Sequence, residues 1–133
     1  ACGPDGHAVV WSMDGFFFMT LDTDGEPSMP PLRLTDTNAG IHSAEIVWTA
    51  WGWAVAWQER WTHPEGLPSP LRILILSPDA ETLYEDEMVQ IISEGVSEPH
   101  LVWSGSELAL MWNHRDAADD PVPSLVFTKF TCY

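Results

Sequence analysis

Gly6-His7-Ala8-Val9-Val10-Trp11, Gly52-Trp53-Ala54-Val55-Ala56-Trp57 and Glu107-Leu108-Ala109-Leu110-Met111-Trp112 are three writings of one pattern. Each is a small or turn residue followed by x-Ala-(Val/Leu)-x-Trp. A strand pattern that recurs along a chain fixes architecture before any single residue is read. The repeat extends beyond these six residues. Ile46-Val47-Trp48-Thr49 matches Leu101-Val102-Trp103-Ser104, Trp57 matches Trp112, and Leu21-Asp22-Thr23-Asp24-Gly25 matches Leu76-Ser77-Pro78-Asp79-Ala80, all at an offset of 55. Trp11 precedes Trp57 by only 46, because the stretch from Arg60 to Pro70 carries extra residues. That stretch is rich in Pro and Gly and reads as a lengthened hairpin loop.

Working outward, short β-rich runs separated by turn residues dominate, and helix-period patterns are weak. The sequence predicts ten strands: Ala8–Ser12, Phe16–Leu21, Leu32–Thr35, Glu45–Thr49, Trp53–Gln58, Arg72–Leu76, Met88–Ile92, His100–Ser104, Leu108–Asn113 and Leu125–Thr131. Thr23-Asp24-Gly25 and Ser12-Met13-Asp14-Gly15 supply a Gly for φ > 0 in tight hairpins. Ser77-Pro78-Asp79-Ala80 is the corner equivalent to the first of these. The expected organisation is one domain over residues 1–133, with units at about 1–40, 41–95 and 96–133 and a strand content of 3 + 4 + 3. Cys2 falls at the position of Trp48, where the first unit has no predicted strand.

Four-stranded antiparallel meanders repeated at this spacing resemble β-propeller blades, and the pattern Ile46-Val47-Trp48-Thr49, Gly52-Trp53-Ala54-Val55-Ala56-Trp57, Leu76-x-x-Asp79 is similar to the blade repeats of secreted bacterial β-propeller proteins. The resemblance implies an all-β fold of propeller blades and a binding surface at the mouth of a central channel. It brings no catalytic motif: the sialidase-type Asp box and the WD40 Trp-Asp ending are both absent from the sequence. At a period of 55 the 133 residues hold about two and a half blades, whereas propellers use about four to eight. A homo-oligomer, a longer protein of which this is a part, or a sandwich of sheets would each answer that shortfall. Unprotected strand edges favour association, so a homo-oligomer is expected.

Composition narrows the function. Twenty acidic and five basic residues give a net charge of −15. Nucleic acid is a poor partner, because phosphate binding needs clustered Lys and Arg, and anionic membrane surfaces are disfavoured for the same reason. No apolar run approaches the ~20 residues that span a bilayer. The acidic balance serves solubility first and a basic partner second. A start at Ala1 fits a chain processed from a signal-bearing precursor, and the expected location is secreted or extracytoplasmic. Cys2 and Cys132 are then expected to form a disulfide, worth ~4–5 kcal/mol if it closes nearly the whole chain. A bridge between chains is the alternative.

Eight Trp residues carry the strongest chemical signal. Trp11, Trp57 and Trp112 occupy equivalent places, as do Trp48 and Trp103, and recurrence points to packing between sheets. Trp51, Trp53 and Trp61 do not recur. Trp51 stands opposite Ser106, Trp53 opposite His7 and Leu108, and Trp61 lies in the long loop. These three are the candidate ligand-binding residues, since a Trp face stacks on the apolar face of a sugar or on a cation. Asp22 and Asp24 are weak candidates for calcium, which needs six to eight oxygens; the hairpin turn is the preferred reading. The five His residues, among them His7 and His100, show no zinc spacing. Nucleophile motifs are missing, so catalysis is not expected. The expectation is a binding protein, lectin-like for a glycan or else a protein-interaction module, with a glycosidase-like hydrolase the least favoured.

Overall fold

A computed structural model describes residues 1–35, 40–59, 69–91, 98–114 and 124–130, which form three antiparallel sheets and, among the described residues, no helix. The first sheet contains β1 (Cys2–Gly3), β2 (Gly6–Ser12), β3 (Phe16–Leu21) and β4 (Leu32–Thr35). The second contains β5 (Ile41–Thr49), β6 (Gly52–Glu59), β7 (Ser69–Leu76) and β8 (Thr82–Ile91). The third contains β9 (His100–Trp103), β10 (Leu108–His114) and β11 (Ser124–Phe130). In every sheet the strands lie side by side in chain order. Each sheet is therefore a meander joined by hairpins, the lowest-entropy way to pair consecutive strands.

Among the described residues the strand content is four, four and three, not the expected three, four and three. The added strand is β1, two residues long. Its register, Cys2↔His7 and Gly3↔Gly6, reproduces Trp48↔Trp53 and Thr49↔Gly52 of β5 and β6. So short a strand carries no alternation of apolar and polar residues, and only the offset of 46 points to it. Further strands begin earlier than expected, β5 at Ile41 and β8 at Thr82. Thr82-Leu83-Tyr84-Glu85-Asp86 is exposed throughout, so it lacks the alternation that marks a half-buried strand. Backbone pairing to Leu76–Ile73 and the Tyr84 ring against Phe130 hold it instead.

Alternation along β6 sorts the core into two layers. Trp53, Val55 and Trp57, with Leu74 and Leu76 of β7, pack on Ala8, Phe16 and Phe18 of the first sheet. Ala54 and Ala56, with Leu71, Ile73 and Ile75, pack on Leu101, Leu108, Leu110 and Trp112 of the third. The second sheet is thus sandwiched between the other two, and every residue of β6 is buried. Phe16 lies 5.3 Å from Trp57 between ring centroids. Trp57 and Trp112, the recurring aromatics, are 0% and 4% exposed, which agrees with the packing role expected of them. Trp11, the third of the set, faces outward on the first sheet and is half-buried against Phe17 at 5.6 Å.

The sheets converge on one side. The closest backbone approaches between sheets involve the first strands, β5 with β9, β1 with β5 and β2 with β5, together with β6 and β9. There the Glu45 carboxylate accepts a hydrogen bond from the Leu101 N–H and lies 3.6 Å from His100 Nδ1. At the far end of β6, Glu59 pairs with Arg72 at 3.0 Å; the carboxylate is buried, so the pair satisfies a charge that could not stand there alone.

Candidate functional site

The turns at one end of the sheets are built alike. Between β5 and β6 the Thr49 hydroxyl donates to the Gly52 carbonyl at 3.0 Å and accepts the Trp51 N–H at 3.1 Å. Between β9 and β10 the Ser104 hydroxyl donates to the Glu107 carbonyl at 3.3 Å and accepts the Ser106 N–H at 3.4 Å. The offset of 55 is thereby kept at the level of single hydrogen bonds. Gly52 has φ +128, and a Cβ there would collide with the Leu76 carbonyl oxygen. Gly6 repeats this, with φ +145 and the Leu21 carbonyl in the same place.

The side chains at these turns differ, and the difference makes a site. Trp51, in the β5–β6 turn, lies over Trp103 with centroids 5.1 Å apart, at the seam between the second and third sheets. The equivalent place in the β1–β2 turn is Asp5, by the same offset of 46 that relates Gly6 to Gly52. Asp5 is exposed. It cannot cover Trp48, which occupies the place of Trp103. The seam between the first and second sheets is consequently open at this end, as a cleft of about 210 Å³. Its walls include Pro4, Asp5 and His7 on one side, and Trp48, Trp53 and Asp79 on the other. Thr20 and Ser28 add hydroxyl groups. Gly3 lets the two indoles lean over β1, since a Cβ there would lie 2.9 Å from Trp53 and 3.1 Å from Trp48.

Trp48 and Trp53 meet edge to face, with centroids 4.8 Å apart at 75°. Trp53 also touches Phe18 at 6.4 Å and is 4% exposed, so the half-buried Trp48 offers the larger aromatic surface. The polar residues beside the indole wall are Asp5, Asp79, Thr20 and Ser28, while His7 borders the cleft from a strand position whose side chain belongs to the opposite face of the first sheet. This is a binding arrangement: a few polar groups that fix orientation over an apolar surface that supplies area.

Of the three candidate Trp residues, the structure places Trp53 in the cleft and Trp51 on the opposite face of the second sheet, packed at the other seam. They do not share a site. Trp61 lies outside the described residues, as does Cys132; Cys2 carries an exposed free thiol. Asp22 Oδ1 accepts the N–H groups of Asp24 and Glu26, both at 2.9 Å, and so serves its own hairpin. Among the described residues no three metal-binding side chains come together. Asp5, Asp79 and the wall made by Trp48 were not among the expected ligand contacts. Extending the offset of 46 one residue beyond Gly6 would have set Asp5 against Trp51. Comparison with family models, with curated proteins and with solved structures gives no match.

Proposed function

We propose that this chain is a non-catalytic, β-propeller-type binding protein of the extracytoplasmic space whose cleft between the first two sheets takes a small carbohydrate. The observation that carries the reading is the indole wall of Trp48 and Trp53 faced by Asp5 and Asp79. Indole presents a broad apolar face to sugar C–H groups. Carboxylates accept hydrogen bonds from sugar hydroxyls, and charged acceptors make the stronger bonds. The volume, about 210 Å³, is below the ~300–1,000 Å³ of sites for drug-sized ligands, so one sugar ring is the fitting occupant. With two carboxylates at the rim and a net charge of −15, uronic and sialic acids are repelled and neutral or amino sugars preferred. The blade reading is supported by the stacking of three meanders that converge on their first strands.

A glycan array, read with the wild-type chain and with Asp5→Trp, tests the cleft. Binding to a neutral or amino-sugar terminus is expected, with at least a tenfold loss in Asp5→Trp, whose indole fills the cleft as Trp51 fills the other seam. A wild-type array blank across all sugars, or binding indifferent to Asp5→Trp, would overturn the carbohydrate reading.

A further inference from the structure

Each sheet has a Trp face and an Ala face, named for the residues of its second strand. In the second sheet these are Trp53, Val55, Trp57, Leu74 and Leu76 on one side, and Ala54, Ala56, Leu71, Ile73 and Ile75 on the other. Both internal seams join unlike faces. The Ala face of the first sheet (Ala8, Phe16, Phe18) meets the Trp face of the second. The Ala face of the second meets the Trp face of the third (Leu108, Leu110, Trp112). Two faces are left over among the described residues: the Trp face of the first sheet and the Ala face of the third.

We propose that these two leftover faces are halves of one interface, occupied by a second copy of this chain packed head to tail. The inference rests on the blade reading above, and it extends a seam that the molecule already builds twice. Registers make the comparison residue by residue. Val9 pairs with Met19 as Val55 pairs with Leu74. Leu125 pairs with Asn113 and Phe127 with Met111, as Leu71 pairs with Gln58 and Ile73 with Ala56. Val55, Leu71 and Ile73 are all 0% exposed, whereas their counterparts Val9, Leu125 and Phe127 are 36%, 69% and 51% exposed. Apolar side chains thus continue to stand at seam positions where the described residues supply no opposing sheet. Val102, on the outward side of β9, is also exposed and extends the patch. Contiguous apolar surface of this kind marks an interaction site. Among the described residues two cations stand on these faces: Lys129, in the place of Ile75, is paired with Glu107 at 3.0 Å, and Arg33 lies over the Phe17 ring and donates to the Thr35 and Asp14 carbonyls.

A head-to-tail contact uses a different patch on each partner, and it propagates until the assembly closes. Two chains supply six sheets by this rule, within the roughly four to eight of closed propellers. A self-paired contact, by contrast, would use only one of the two faces.

The discriminating experiment is the solution mass of the full chain in reductant, measured by sedimentation from about 1 to 100 μM for wild type, Val9→Glu, Phe127→Lys and an equal mixture of the two variants. The expected wild-type mass is twice the 14.9 kDa of the chain. Each variant alone should fall to one chain, because each blocks one half of every seam. The mixture should regain the two-chain mass, since one partner offers an intact Ala face and the other an intact Trp face. Far-UV circular dichroism checks that both fold, and Val9→Ser with Phe127→Ser replaces any charged variant that does not. A monomeric wild type at 100 μM, a variant that keeps the wild-type mass, or a mixture that stays at one chain each overturns the proposal. None of these outcomes alters the glycan-array result for the cleft, so the two readings fail separately.

Discussion

The two seams between sheets are built on the same strand pattern, and at the rim a turn residue sets them apart. Where the second sheet meets the third, Trp51 lies against Trp103 and both indoles pack on the core. Where the first meets the second, Asp5 stands in place of Trp51, and Trp48 looks into a cleft. The hydrophobic layers below are alike in kind, with Phe16 and Phe18 at one seam and Leu108 and Leu110 at the other. The difference teaches that packing and recognition are separable in a repeated scaffold. Buried positions of the unit stay apolar because every seam must exclude water, while a turn residue at the rim is free to close the seam or open it.

The comparison presumes that the turn itself is the same in both places, and Gly52→Ala is the harshest test of that. The Gly52 backbone has φ +128 and faces the Leu76 carbonyl, so an added Cβ meets both an unfavourable conformation and a clash with main chain. A loss of about 3 kcal/mol is expected in urea unfolding, and Gly6→Ala should lose a similar amount against the Leu21 carbonyl. A loss below about 1 kcal/mol for either would show that the two turns are not built on the same constraint.

Exchanging the rim residue sharpens the comparison. Trp51→Asp removes a half-buried indole and its contact with Trp103, a destabilisation of about 2–3 kcal/mol. The same change should uncover Trp103 and create a second cleft, read by titration calorimetry as a second, weaker equivalent of whatever sugar the first cleft takes. The reciprocal Asp5→Trp should raise stability by up to ~1 kcal/mol, because an indole then covers Trp48. If Trp51→Asp is neutral in stability, Trp51 does not seal the seam.

Much of this was legible in the sequence, and the reasons are specific. The offset of 46 sets Cys2 in the place of Trp48, yet the sequence predicts no strand there, because the two-residue β1 has no periodicity of its own to announce it. The first half of β8 is silent in the sequence because Thr82–Asp86 shows no alternation; it is held by pairing with β7 and by Tyr84 against Phe130. The burial of Trp57 and Trp112 followed from their recurrence. Failure to recur did mark Trp51 and Trp53 as unusual, but it could not say which seam each faces, because that depends on the parity of the strand. Asp5 is silent in the sequence for another reason. A lone acid in a chain with twenty acidic residues carries no signal until the residue it replaces is seen to be a tryptophan.

The smallest effect concerns the other pair of turns on the same end, β3–β4 and β7–β8. Gly25 donates its N–H to the Asp22 carbonyl at 3.1 Å and Ala80 donates to the Ser77 carbonyl at 3.0 Å, while Asp22 and Ser77 donate to the carbonyls of Glu26 and Glu81. The two turns superpose residue for residue at an offset of 55, and both hold a positive φ, +87 at Gly25 and +63 at Ala80. Alanine in the left-handed region carries a steric cost of about 1–2 kcal/mol, partly returned by its lower entropy in the unfolded chain. Gly25→Ala should therefore destabilise by about 1 kcal/mol, an effect of backbone alone, since a Cβ there meets no atom within 4 Å. Ala80→Gly should act in the opposite direction but by less, about 0.5 kcal/mol, because the Ala80 methyl packs against the buried cluster between the first two sheets and that contact is lost. Opposite signs in thermal unfolding would establish the two corners as one turn. Equal signs would mean that the methyl contact of Ala80 outweighs its backbone strain, and that the first two units diverge at this corner as they do at Asp5 and Trp51.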